Sequence, residues 1–193
     1  MRQDDVRILF DHCYWAIGRV LAAADRLPTD RFTDSAGATV RGLRATLVHE
    51  LDVERSWRLR LQGTSPEDWD PEAGLDPVDF PTVSVLRQRW REDEAAMRAR
   101  IVSLSDEDLA RPIDFGEPTP FPLWYYLEHL LTHAMQQLAD AATLLTAEGR
   151  SPGELEFLEY ADQREMAATL RAAQSGVGDS ASIAASSRSS VRS

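Results

Sequence analysis

The sequence predicts an all-α fold: a four-helix bundle of up-down-down-up topology with a long crossover between helices two and three, plus a fifth helix near the C-terminus. Three observations predict it. Apolar residues recur at steps of three and four through four long stretches, no stretch alternates with the period of a strand, and Pro- and Gly-rich segments divide the stretches. The 193 residues, 43% hydrophobic and 27% charged, suffice for one domain with its own core. With 21 Lys+Arg against 32 Asp+Glu the net charge is −11, and no basic cluster stands ready for a phosphate backbone or an anionic membrane. Neither nucleic acid nor membrane is an expected partner.

The first helix carries Leu9, Phe10, Cys13, Ile17, Val20, Leu21 and Ala24 on one stripe, and Pro28 ends it. Thr39 is placed to cap a second helix through Leu43, Leu47, Leu51, Trp57 and Leu61, with Gly63 as its stop. Residues 64–81 hold Pro66, Pro71, Pro77 and Pro81 among many acids, so neither helix nor strand continues there. A link of that length lets the second and third helices run in the same sense. The acids of 66–79 read as a solvated face rather than a docking surface for a basic partner. Thr82 caps a third helix with Val83, Leu86, Trp90, Met97 and Ile101 on its stripe, where Asp93 or Glu94 fills a gap. Pro122 opens a fourth helix that runs to about Gly149 and is apolar enough to be central. After the Ser151-Pro152-Gly153 turn, Leu155 to Ala173 form a more polar fifth helix. Residues 1–174 are thus the helical domain. Residues 175–193, nearly all Ser, Ala, Gly and Arg, are expected to be a disordered tail.

Asp4 and Asp5 interrupt any signal-peptide core, and no stretch reaches the roughly 18 apolar residues of a membrane span. A soluble, cytoplasmic protein is expected. The single cysteine, Cys13, rules out an internal disulfide and any multi-cysteine metal site, and its helix position marks it as core filler. His12 beside it reads as a partly exposed histidine without a function. The pair makes no nucleophile and base, since adjacent helical residues diverge by about 100°. Trp57, Trp90 and Trp124 stand at core spacing, and Trp15 at the rim. No Gly-rich phosphate loop or GxSxG elbow occurs.

His129, His133 and Gln137 follow one another at four-residue steps, so their side chains form one strip on the fourth helix, and His49 lies at the margin of the second helix's apolar face. Two imidazoles one turn apart, met by a third from a facing helix, are how bundles build internal metal sites. By spacing alone, packed or hydrogen-bonded core histidines are the commoner explanation.

The run LFDHCYWAIGRVLAAADRLPTDRFTDSAGATVRGLRATLVHELDVERSWRLRLQG resembles the opening of the DinB-like (YfiT-like) family of damage-inducible four-helix proteins. HLLTHAMQQLADAATLLTAEGRSPGELEFLEY resembles that family's last bundle helix and following turn. The likeness covers roughly residues 3–162. It implies a homodimer and a divalent ion, nickel or zinc, held by one histidine of the second helix and two of the fourth. Carried over, the metal residues are His49, His133 and Gln137, the last an amide where the family has imidazole and a poorer ligand for these ions. His129 is the alternative ligand. Glu50, Glu54, Asp93 and Glu94 are candidates to complete the site or to orient its imidazoles, Glu54 ahead of Glu50, which reads first as ordinary solvated charge. No catalytic residue is assigned. The implied activity is that of a metal-dependent enzyme acting on a small molecule by activating water or a thiol, as a hydrolase or a thiol-dependent transferase does. The alternative is a non-catalytic dimeric bundle with a degenerate metal site that binds a small molecule or a partner.

Overall fold

The computed structural model describes residues 1–34, 41–63, 74–115 and 118–168. Helix α1 (Gln3–Ala24) begins with Asp4 and Asp5 in its first turn, where carboxylates suit the helix dipole, and the Arg2 backbone N–H donates to Asp5 at 3.0 Å. Its predicted stripe is buried from Phe10 to Ala24, with Cys13 among it, while Leu9 is half-buried. His12 is buried too, contrary to the expectation of partial exposure, and packs 5.9 Å from the half-buried Trp15 ring. Pro28 opens a short helix α2 (Thr29–Thr33) that the sequence pattern does not reveal, anchored by the fully buried Phe32.

Helix α3 (Leu43–Leu61) starts after Gly42, while Thr39, the expected cap, lies outside the described residues. Gly63 ends it as predicted, at a φ of +89° that side chains other than hydrogen rarely tolerate. Of the crossing segment, residues 64–73 lie outside the described residues. The remainder includes a 3-10 turn over Pro77–Asp79. Thr82 caps helix α4 (Val83–Val102) as predicted, its hydroxyl accepting from the Val85 N–H at 3.3 Å. Ser105 and Asp108 then form a capping box on α5 (Asp106–Ala110), a second short helix that the sequence pattern does not reveal. A two-residue antiparallel ribbon follows, β1 (Pro112–Ile113) with β2 (Phe121–Pro122), too brief to show alternation. Helix α6 (Leu123–Ala147) closes with Gly149 at a φ of +68°, its N–H bonded to Thr146 and that of Arg150 to Leu145, the paired bonds of a Schellman motif.

Residues up to Gly153 form one compact unit, with the four long helices packed around an apolar core. Contacts between side chains give the helix senses. Glu50 meets His133 whereas Trp57 meets Tyr126, so α3 and α6 run oppositely. Gln3 reaches Ile101 whereas Arg87 reaches Leu21, so α1 and α4 also run oppositely. Arg58 pairs with Asp93 and Arg100 with the Leu61 carbonyl, which makes α3 and α4 parallel. Asp93, the acid on the α4 stripe, is buried between Arg58 and Arg89, the latter at 2.8 Å, and two guanidinium partners are what make such a charge tolerable in a core. Trp90 fits the predicted core placement, while Trp57 and Trp124 are half-buried.

The second unit begins at Glu154 and contains helix α7, which starts at 157, two residues after the expected 155, and is described as far as 168. The end of that expectation, the boundary at 174 and the tail 175–193 lie outside the described residues. Among the described residues no helix is long and apolar enough to cross a membrane.

Candidate metal centre

Helix α3 turns Leu43, Leu47 and Leu51 into the core, and Glu50 and Glu54 share that buried surface because the stripe is wide. His49 sits at its edge, half-buried. From α6, His133 approaches opposite, and the two rings meet edge to face with centroids 5.3 Å apart. The imidazoles of residues 49 and 133 are therefore brought together, as the sequence predicts. Neither is sealed off, since the His133 side chain keeps 18% of its surface exposed.

The reading of Glu50 as solvated charge is corrected by the structure. Its side chain is 1% exposed and one carboxylate oxygen lies 2.6 Å from His133 Nδ1. Burial pushes the Glu50 carboxyl up, and the His133 hydrogen bond opposes that rise. With Glu50 ionised, Nδ1 carries the proton and the lone pair falls on Nε2, the arrangement in which a carboxylate backs a metal-binding imidazole. Desolvation, with help from Arg41 and from His133, lowers the His49 pKa, which keeps this ring neutral at pH 7 and able to donate a lone pair.

Glu54 takes a different partner. It is buried and accepts the Tyr14 hydroxyl at 2.8 Å, so it braces α3 against α1 instead of touching an imidazole. Sequence reasoning passes over Tyr14, although its place between Phe10 and Ile17 on the α1 stripe aims it inward. Asp93 is taken up by its arginines, and Glu94 accepts from Arg98 at 2.7 Å. Gln137 lies half-buried one turn beyond His133. His129 is exposed, its ring 5.7 Å from Trp57 and 6.3 Å from His133. Around it stands an aromatic wall that sequence spacing does not disclose: Trp57 packs on Tyr126 at 5.4 Å and on Phe115 at 5.7 Å, with Arg60 over Trp57 at 5.1 Å. Phe115 comes from the segment after β1, and no helical periodicity points to it.

A family model described as the DinB superfamily matches residues 12–141, more than half of the chain and a span that contains every residue of this centre. The chain belongs to the DinB superfamily. A curated relative from Bordetella pertussis, one of the subunits of its NADH-quinone oxidoreductase, is 34% identical over 89 residues, covering 43% of this chain and 38% of that protein. The chain thus spans about two fifths of that relative, and the name describes the relative alone.

Two imidazoles and a carboxylate are what this DinB-superfamily chain brings together at the site. Imidazoles from facing helices are donors that suit borderline ions, and the Glu50 contact at Nδ1 leaves Nε2 of His133 as the nitrogen open to a ligand. Among the described residues no three His, Cys, Asp or Glu side chains gather as a metal set.

Proposed function

We propose that this chain is a metal-dependent enzyme of the hydrolase or thiol-dependent transferase type, in which His49 and His133 hold a nickel or zinc ion with Gln137 as the weaker third ligand. The observation that carries this reading is the buried Glu50 carboxylate set 2.6 Å from His133 Nδ1, opposite His49. A carboxylate costs several kcal/mol to bury, and orienting an imidazole for a cation accounts for keeping it there. When bound, the ion supplies a Lewis acid that lowers the pKa of water or a thiol. The chain's own groups do the rest. Glu50 retains the Nδ1 proton of His133 and fixes its ring. His49, kept neutral by desolvation, offers its lone pair from the facing helix. Trp57, Phe115 and Tyr126 pack as a tilted and edge-to-face aromatic cluster beside His129, suited to the apolar part of a small substrate.

The antiparallel pairing of α3 with α6 and of α1 with α4, with α3 and α4 parallel, supports an up-down-down-up four-helix bundle. We extend the family reading to a cytoplasmic homodimer. Metal analysis of untagged protein tests the function: nickel or zinc near one per chain is expected, falling below about a tenth of that in His49→Ala and His133→Ala. Wild-type protein that stays metal-free after soaking in either ion overturns the enzyme reading and leaves a binding module with a degenerate site.

A further inference from the structure

On a chain of net charge −11, the 25 residues of α6 include no Lys or Arg and carry charge only at Glu128 and Asp140. Yet Tyr125, Thr132, Gln136, Ala139, Thr143 and Thr146 are all exposed, and their steps of three, four and seven place them in one strip along the outside of the helix. The strip is less polar than its residue types suggest. The Thr132 hydroxyl donates to the Glu128 carbonyl at 3.0 Å and the Thr143 hydroxyl to the Ala139 carbonyl at 2.9 Å, so both spend their donors on their own helix and leave methyl groups as outer surface. Beside the strip, α1 and α6 border a groove of about 540 Å3, where the half-buried Leu9 and Met135 and the exposed Ala139 are open to contact.

Side-chain size and charge along this face select the occupant. At the N-terminal end Phe121 and Tyr125, 40% and 45% exposed, stack at 5.4 Å with Trp124 against Tyr125, whereas toward the C-terminal end the exposed residues shrink to alanine and threonine. A two-fold axis between Met135 and Gln136 would lay two antiparallel copies of α6 with Tyr125 opposite Thr146, Glu128 opposite Thr143 and Thr132 opposite Ala139. Large residues then meet small ones at both ends, and Glu128 meets no acid at its own level. Two chains at −11 repel each other across their acidic faces, and a strip without that charge is where they can touch. Counting α1 beside α6, a face ~37 Å long and ~20 Å wide covers about 700 Å2 per copy, close to the ~800 Å2 of a standard stable interface.

We infer that this chain dimerises through α6, packed antiparallel against α6 of a second copy about a two-fold axis at Met135 and Gln136, with the second copy's helix seated along the α1–α6 groove. This names the face of the homodimer read above and rests on that reading, not on the metal.

Sedimentation equilibrium of the full chain tests the assignment and should give twice the chain mass at micromolar concentration. Ala139→Arg places two like charges near the axis and should weaken dimerisation at least about a hundredfold with circular dichroism unchanged, while Ala95→Arg, exposed on α4, should leave the dimer intact. Because Cys13 is buried, Gln136→Cys offers a short bismaleimide one reactive thiol per chain and should yield a covalent dimer, whereas Glu92→Cys on α4 should not. A monomer mass at every concentration overturns the assignment together with the homodimer reading. A dimer that survives Ala139→Arg, or that cross-links through position 92 and not 136, overturns the α6 face alone and leaves the homodimer standing.

Discussion

Replacing Glu54 with glutamine removes a titrating group from the core while keeping an acceptor for the Tyr14 hydroxyl, which lies 2.8 Å away. Burial, against the Tyr14 hydrogen bond and with the help of Glu50, Asp93 and Glu94, pushes the Glu54 carboxyl up from 4.5 to about 8. Between those values the folded chain holds a proton that the unfolded chain has released, so this group's contribution to stability is lost as pH rises. At ~1.4 kcal/mol per pH step the loss reaches about 3 kcal/mol at pH 7 and about 5 kcal/mol above pH 8. Glutamine does not titrate. Urea unfolding of both proteins from pH 4 to 9 should therefore give curves that coincide near pH 4 and diverge above it. Glu54→Gln should become the more stable by about 5 kcal/mol at pH 9. A difference that stays constant across the range, or one favouring the wild type at high pH, refutes the account of a carboxyl kept neutral by its surroundings.

Glu50→Gln keeps the shape but not the charge behind His133, and zinc affinity measured by calorimetry should fall about 10- to 100-fold with the helical signal unchanged; equal affinity would mean that the contact does not orient the ring. Gln137→His restores an imidazole one turn after His133 and should raise zinc affinity at least about tenfold, whereas no gain would show that position 137 does not face the ion. Asp93→Ala leaves the Arg58 guanidinium, 12% exposed, without its carboxylate, and urea unfolding should show a loss of about 3–5 kcal/mol; a loss below about 1 kcal/mol would mean that solvent already screens the pair.

The long helices are legible because their apolar stripes repeat over 19 to 25 residues, and their ends because Thr82, Gly63 and Gly149 each solve a local backbone problem. Helices α2 and α5, of five residues each, are too short for a stripe, and single anchors such as Phe32 and Leu109 leave no period to read. The meeting of His49 with His133 follows from helical spacing joined to family resemblance. Glu50 is harder. Its spacing from Leu47 and Leu51 allows either margin or interior, and only the facing helix, which brings His133 to it, decides between a solvated charge and a buried one. The Tyr14–Glu54 contact joins residues 40 apart, and the Phe115–Trp57 packing depends on a non-helical segment; neither pairing has a sequence period to announce it.

Nitrogen-detected spectra of the four imidazoles during zinc addition test the metal reading most directly, because each ring reports its own coordination. The nitrogens of His49 and the Nε2 of His133 should shift by coordination at one equivalent, with His133 Nδ1 still protonated and those of His12 and His129 unmoved. Shifts at His129 with His49 silent, or no specific shift at any ring, would contradict it.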